Sequence, residues 1–287
     1  MRALAFLLLL AASPAEDALH RDTDEWHATR VKRLTAEDGW LTLVNLHWLE
    51  EGRHRAGSAA DAAVTLPESM PAHVGTFVRE GFEVRFLPAQ GVALTREGVP
   101  FAGGALRSDE NGAPDVLQLG TVRFHLIRRG DKLGVRVKDS QALARKAFEG
   151  IPRYPVRATY RVQAKLLPAE RPTKLRVPTV LGTVEELPSP GVLVFTLEGK
   201  EQRLSPVWEE DNLFIIFADP TNRSETYGAG RFLYAEAPKE GMVTLDFNRA
   251  YNPPCAFSKY ATCPLPPPGN RLSVRIEAGE KRYPKRP

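Results

Sequence analysis

Short runs of alternating hydrophobic and polar residues make up most of the chain. Between residues 55 and 139, runs such as TVRFHLI and LGVRVKD recur, separated about every eight to twelve residues by turns rich in Gly, Pro or Asn-Gly. A second series follows residue 155. Within it, residues 212–218 (NLFIIFA) form a nearly continuous apolar run, which is typical of a strand buried on both faces. The pattern predicts an all-β protein made of two packed halves, each sandwich-like or barrel-like.

The N-terminal part departs from this alternation. Residues 17–38 are polar, with apolar residues at helical spacing and Gly39 at the end, which predicts one amphipathic helix. Residues 39–52 then change period, which indicates a bulged strand or a step from strand to turn. The predicted organisation is a signal peptide (1–15), a helix and strand (16–52), a β-sandwich (53–139), a linker (140–155) and a second β-rich domain (156–287).

The first fifteen residues, MRALAFLLLLAASPA, have the pattern of a signal peptide: a basic start, an apolar stretch and small residues before Glu16. The apolar stretch is about half as long as the roughly 20 residues that a spanning helix needs. We therefore expect an exported protein, periplasmic or extracellular, cleaved after Ser13 or Ala15 and without a stable membrane span after cleavage. The alternative is a frayed N-terminal helix of a cytosolic protein.

The composition is that of a folded globular protein, and the charge distribution argues against nucleic acid as a partner. Of 287 residues, 43% are hydrophobic and 26% are charged, which is ordinary for a globular protein. The formal charge of +4 falls to +3 when cleavage removes Arg2, and the basic residues are interleaved with acids instead of forming a stripe. Nothing in the sequence indicates an oligomeric state.

Most catalytic and cofactor signatures are absent from the sequence. It contains no HExxH, GxSxG, Walker or GxGxxG motif, and no cysteine and histidine spacing suited to zinc. We therefore predict no metal and no cofactor. All six histidines lie in the first 125 residues, so a Ser-His or Cys-His pair in the second half would need its base from the other half.

The segment after the most apolar run carries the candidate site. Residues 217–236 hold Asp219, Thr221, Tyr227 and Arg231, and strand ends are where binding and catalytic sites are often built. Tyr227 and Arg231 would offer a phenol and a planar donor fork suited to a carboxylate or phosphate. The alternative is a satisfied turn in which Asp219 bonds nearby backbone.

The two cysteines, Cys255 and Cys263, lie within a proline-rich segment. In an exported protein such a pair most simply forms a disulfide, which would pin a loop that has little regular hydrogen bonding. The alternative is a reactive thiol pair.

Residues 246–281, DFNRAYNPPCAFSKYATCPLPPPGNRLSVRIEAGEK, resemble the bacterial and archaeal family called domain of unknown function 1684. GWLTLVNLHWLEEG and DPTNRSETYGAGRFL extend the resemblance over nearly all of the mature chain. The family implies no established activity, substrate or cofactor. Its recurrent positions correspond here to Asp219, Thr221, Thr226, Tyr227, Arg231, Asp246, Asn248, Tyr251, Asn252, Cys255, Tyr260, Cys263 and Asn270.

A second resemblance covers residues 55–138, whose strand order is similar to that of a forkhead-associated β-sandwich. That family binds phosphothreonine through an Arg after the first glycine and a Ser three residues before a histidine. Here Ser58 follows Gly57, and Met70 precedes His73 by three. The resemblance therefore implies the sandwich and not the phosphopeptide binding.

Three functional hypotheses follow. In the first, the protein is a binding or envelope-associated module with a pocket for a small anionic or polar ligand, lined by Tyr227, Arg231, Asn248 and Asn252. In the second, it is a hydrolase that uses Asp219 or Asp246 as base, with Tyr227 and Arg231 stabilising negative charge. In the third, the polar cluster is a structural network. The cluster as a whole comprises Asp219, Thr221, Tyr227, Arg231, Asp246, Asn248, Tyr251 and Asn252.

Overall fold

The computed structural model describes residues 13–284, except for the side chain of Pro172. Helix α1 spans Pro14–Leu34, three residues earlier at its start and four at its end than the predicted 17–38. A capping box explains the early start: Ser13 Oγ accepts from the Glu16 N–H, and the Glu16 carboxylate accepts from the Ser13 N–H. The predicted signal peptide lies almost entirely outside the described residues, so export stays a prediction.

Eleven strands form the first half. They are β1 (Leu43–Leu49), β2 (Gly52–Gly57), β3 (Val64–Thr65), β4 (Gly75–Glu80), β5 (Glu83–Pro88), β6 (Thr95–Arg96), β7 (Val99–Pro100), β8 (Gly104–Ala105), β9 (Leu117–Leu119), β10 (Val122–Arg129) and β11 (Lys132–Asp139). One sheet has the order β1-β11-β10-β9-β6-β7, and the other has the order β3-β2-β4-β5-β8. The predicted bulge is present, since the pairing of β1 with β11 shifts between Leu43 and Asn45.

The core of the first half lies between these two sheets. Phe77 of β4 and Phe86 of β5 meet Phe124 of β10, with ring centroids 4.7–5.9 Å apart. Alternation puts Val122, Phe124 and Leu126 into this core, while the residues between them face the other way. The outward face of β10 and β11 is therefore available to contact the second half.

Seven strands form the second half, after the short helix α2 (Leu143–Lys146). They are β12 (Arg161–Pro178), β13 (Val184–Leu197), β14 (Lys200–Leu204), β15 (Val207–Glu209), β16 (Asn212–Phe217), β17 (Arg231–Glu236) and β18 (Met242–Asp246). One sheet has the order β14-β13-β12-β18, and the other has the order β15-β16-β17. In the described residues none of the four sheets closes on itself, so the halves are sandwich-like and not barrels.

Strand β16 is central and buried on both faces, as the apolar run predicts. Leu213, Ile215 and Phe217 belong to the core of the second half. Phe214 and Ile216 point the opposite way, into a cluster that also contains Leu43 of the first half. This cluster joins the two halves, so the predicted all-β architecture of two packed halves is confirmed. None of the described helices is both long enough and apolar enough to cross a membrane.

Candidate functional site

Asp219 and Arg231, two of the predicted site residues, form a closed ion pair. Asp219 follows strand β16 by two residues and caps the turn at 220–223, while Arg231 begins β17 opposite Phe217. Arg231 Nη2 lies 3.0 Å from Asp219 Oδ1, and both side chains are 0% exposed. Neither group can therefore reach a ligand without unfolding of its surroundings.

The other hydrogen bonds of this pair are also made within the protein, and Arg231 Nε has no partner among the described residues. Asp219 Oδ2 accepts from the backbone N–H groups of Thr221 (3.0 Å) and Ile276 (2.9 Å), and Oδ1 accepts from the Thr221 hydroxyl at 3.0 Å. Arg231 donates to the carbonyls of Ile276 and Ala278. The pair thus fastens residues 276–278, which have no regular strand pairing, to the end of β16.

Other irregular segments are held by hydrogen bonds of Asp246, Asn248 and Asn252. Asp246 Oδ1 accepts from the backbone N–H and the side chain of Asn248, at 3.1 and 2.9 Å. Asn248 in turn holds both backbone groups of Arg157, at 3.0 and 2.9 Å. Asn252 donates from its backbone to Glu280 (2.7 Å) and from its side chain to the carbonyl of Lys281 (2.8 Å). All three side chains are buried, so the predicted cluster is spread over several separate anchors.

Tyr227 is half-buried, and burial raises its pKa to about 12. The same pKa is also raised by the nearby thiols of Cys255 and Cys263. At neutral pH the phenol is therefore protonated. Of the eight predicted cluster residues, Tyr251 is the one that lines the cavity described next.

A cavity of about 440 Å³ lies between the two halves. Three arginines line it: Arg30 from α1, Arg129 from the end of β10 and Arg136 from β11. One exposed carboxylate, Glu209, also lies on the lining, beside Tyr234. Positions between domains are where small-molecule sites are often found, and the volume falls in the usual range of roughly 300–1,000 Å³.

Arg136 is the unusual member of this set. The residue is 6% exposed, yet in the described part of the chain its Nε has no hydrogen-bond partner and no carboxylate pairs with it. Its Nη2 makes one long hydrogen bond, 3.4 Å, to the Thr262 hydroxyl, and its guanidinium lies 5.1 Å from the Trp40 ring. Burial lowers the pKa of Arg136 to about 10, so the group remains cationic at neutral pH.

The other two arginines are held by acids of the protein. Arg129 forms a two-pronged pair with Asp109, both contacts at 3.0 Å, and also donates to Thr262 at 3.3 Å. Arg30 lies 3.4 Å from the buried Glu280 carboxylate and 4.7 Å above the Tyr251 ring. Burial raises the pKa of Glu280, and the nearby Arg30 opposes that shift. These two arginines are fixed in place, whereas Arg136 is left without a counter-ion.

Aromatic rings form another wall of the cavity. Phe214 and Tyr234 are stacked with centroids 4.9 Å apart, and Phe232 meets Tyr251 edge-on at 5.8 Å. Burial raises the pKa of both tyrosines, so both phenols are protonated at neutral pH. The cavity thus places a cationic end next to flat apolar surfaces.

The proline-rich segment supplies the last wall, through Pro254, Thr262, Cys263 and Pro264. Cys255 and Cys263 are not bonded to each other in this structure, but they are neighbours: the Cys255 N–H lies 3.1 Å from Cys263 Sγ. The disulfide therefore stays a prediction. No group of three or more possible metal-ligating side chains occurs among residues 13–284.

Comparison with known proteins places the chain among relatives of unknown activity. The family model described as "Protein of unknown function (DUF1684)" matches residues 146–281. The chain belongs to the DUF1684 family. The matched segment is shorter than the nearly full mature chain that the motifs predict, and it excludes Arg30, Arg129 and Arg136.

Solved structures add little to this DUF1684 assignment. An uncharacterized protein of Haloarcula marismortui, solved by NMR, is 31% identical over 48% of this chain and 78% of its own length, with a TM-score of 0.41. An FHA domain from a study of phosphothreonine-dependent interactions is 17% identical over 32% of this chain and 92% of its own, with a TM-score of 0.24. No protein of curated function matches.

The three arginines of the cavity are not predicted from the sequence. In LGVRVKD, Arg136 occupies an outward position of an alternating strand, which usually means solvent. No sequence signal marks Arg136, since the burial of the five consecutive residues 133–137 is seen only in the structure. The sequence cannot tell that a second half covers that face.

Proposed function

We propose that this DUF1684 protein is an exported binding module that holds a small anionic ligand in the cavity between its halves. The observation that carries the proposal is Arg136, a nearly buried cation that, among the described residues, has no carboxylate partner and makes one long hydrogen bond to Thr262. Burying a charge without a partner is costly, whereas a bound carboxylate or phosphate would supply strong charge-assisted hydrogen bonds.

The surroundings of Arg136 support an anion in particular. Arg129 and Arg30 place two more guanidinium groups on the same lining, and their charges are already paired with Asp109 and Glu280, so neither acid is left to compete for Arg136. Thr262 accepts from both Arg129 and Arg136, which brings the two guanidinium groups to one place. A ligand with one anionic group would meet both.

The aromatic wall suggests the remainder of the ligand. Phe214, Phe232 and Tyr251 present ring faces and edges to the same cavity. A flat apolar body attached to the anionic group would bury its surface there. We therefore propose an anion that carries an aromatic or similarly flat group.

The hydrolase hypothesis gains no support from Asp219 or Arg231. Asp219 accepts four hydrogen bonds and is fully buried, so it has no free lone pair facing a substrate. Asp246 is held by Asn248 and lies 3.7 Å from Arg249. A general base needs to reach the proton that it removes, and Asp219 in particular cannot.

Phenyl phosphate is a suitable probe because it combines one anionic group with one ring. In titration calorimetry with the full chain, we expect phenyl phosphate to bind, inorganic phosphate to bind more weakly and phenol not to bind measurably. Arg136→Gln should weaken the binding of phenyl phosphate by at least about tenfold, since a charge-assisted contact is worth roughly 1.5–3 kcal/mol.

Arg123→Gln is the matched control. Arg123 lies on β10, pairs with Glu37 at 3.6 Å and does not line the cavity, so the variant removes the same charge elsewhere on the same sheet. We expect Arg123→Gln to bind phenyl phosphate as the unmodified chain does. Equal weakening by both variants, or binding of phenol as tight as that of phenyl phosphate, would contradict an anion site at Arg136.

A further inference from the structure

One of the two cysteines lines the cavity, and the other lies next to a lining residue. Cys263 is part of the lining, and its neighbour Thr262 accepts hydrogen bonds from Arg129 and Arg136. Cys255 is half-buried and follows Pro254, which also lines the cavity. A change at either sulfur therefore acts on the wall that holds the two arginines.

The two thiols are also arranged for reaction with each other. The Cys255 N–H points at Cys263 Sγ, and Cys255 Sγ lies 3.5 Å from the carbonyl of Ala261. A hydrogen bond from Cys263 lowers the pKa of Cys255, and the charge of Arg136 lowers it further. Cys255 is thus both the more exposed thiol and the one that ionises first, as an attacking thiol requires.

We propose that Cys255 and Cys263 form a reversible disulfide whose state sets the affinity of the cavity for its anionic ligand, the oxidised form binding more tightly. The inference rests on the proposed function. In the reduced form, the fraction of Cys255 that is ionised is an internal anion, which competes with the ligand for interaction with Arg136. Oxidation removes that anion, so the Arg136 guanidinium can pair with the ligand without competition.

A small-molecule disulfide is the oxidant for this step. The Cys255 thiolate attacks one reagent sulfur and forms a mixed disulfide, and the first reagent thiolate leaves. Cys263 then attacks Cys255 Sγ, and the second reagent thiolate leaves as the protein disulfide forms. The two protons of the protein thiols end on the two reagent thiols, so the protein loses two electrons and the reagent gains them.

The test compares the two redox forms of the full chain at one pH. Protein reduced with dithiothreitol, and protein oxidised with glutathione disulfide, are freed of reagent and counted for thiols after unfolding. Each form is then titrated with phenyl phosphate. We expect two thiols in the first form and none in the second. Affinity for phenyl phosphate should be higher in the oxidised form by up to about tenfold, because oxidation removes one partly ionised charge close to the site.

The Cys255→Ser/Cys263→Ser double variant is the control, and its affinity should not respond to either treatment. Equal affinity of the two forms, tighter binding by the reduced form, or two remaining thiols after oxidation would overturn the inference and leave the proposed function standing. Absence of phenyl phosphate binding in both forms would instead overturn the proposed function.

Discussion

Arg231 and Arg136 are both buried arginines on strands, and their surroundings are opposite. Arg231 pairs with Asp219 and donates to two backbone carbonyls in a region with no access to solvent. Arg136 borders a cavity, and in the described residues its one hydrogen bond is a long one to Thr262. The contrast teaches that a buried charge is a sign of structure when its partners come from the protein, and a sign of a ligand when they do not.

The largest expected effect on stability comes from breaking the buried ion pair between Asp219 and Arg231. Arg231→Met would leave the Asp219 carboxylate buried without its counter-ion, so we expect the free energy of unfolding to fall by about 3–5 kcal/mol. Urea denaturation measures this loss. The Asp219→Asn/Arg231→Met double variant removes both charges and should recover part of it. A loss below about 1 kcal/mol in the single variant would show that the pair does not hold this region together.

The corresponding Arg-to-Met substitution at the cavity should have the opposite effect on stability. Arg136→Met removes a cation that lacks a protein counter-ion, so in the absence of ligand we expect the free energy of unfolding to stay equal or to rise by up to about 2 kcal/mol. Denaturation in a buffer free of phosphate and carboxylates is the measurement. A loss comparable to that of Arg231→Met would mean that Arg136 serves the fold.

A smaller effect concerns His125, which lies directly across from Arg136 on the neighbouring strand. Burial, together with the charges of Arg136 and Lys138, lowers its pKa to about 4. In the unfolded chain this histidine binds a proton near pH 6.5, whereas in the folded protein it does so only near pH 4. The folded protein is therefore fully stable with respect to this group above pH 6.5 and loses stability as the pH falls towards 4. Between pH 7 and pH 5 we expect a loss of up to about 2 kcal/mol from this residue.

The His125→Gln variant isolates that contribution, since the buried Glu280, whose pKa is raised, changes stability in the opposite direction. Denaturation at pH 7 and pH 5 should show a smaller loss at pH 5 in the variant than in the unmodified chain. Identical pH dependence of the two proteins would indicate that His125 is not desolvated on this face.

Much of the fold could be predicted from local pattern. Alternation marked the strands, and the apolar run at 212–218 marked β16, because both signals reflect local burial. The end of α1 was predicted too late, since Thr35 caps the helix through its hydroxyl, which donates to the Val31 carbonyl. The cap consists of a few local hydrogen bonds, which the apolar spacing that continues to Gly39 does not reveal.

The candidate site could be predicted only in part. The motif residues Asp219 and Arg231 are distinctive in sequence, and the structure explains this by the long-range contacts that they make to residues 276–278. The cavity arises where β10 and β11 of the first half meet the loop at 254–264, more than a hundred residues later. No local pattern encodes that meeting, so nothing in the sequence singles out Arg136.

The most direct measurement is a crystal structure of the full chain with phenyl phosphate bound. We predict phosphate oxygens within about 2.7–2.9 Å of the Arg136 guanidinium, with the ring against Tyr251 or Phe232. Phenyl phosphate found elsewhere, with Arg136 Nε still without a partner and the cavity empty, would contradict the assignment of this cavity as an anion site.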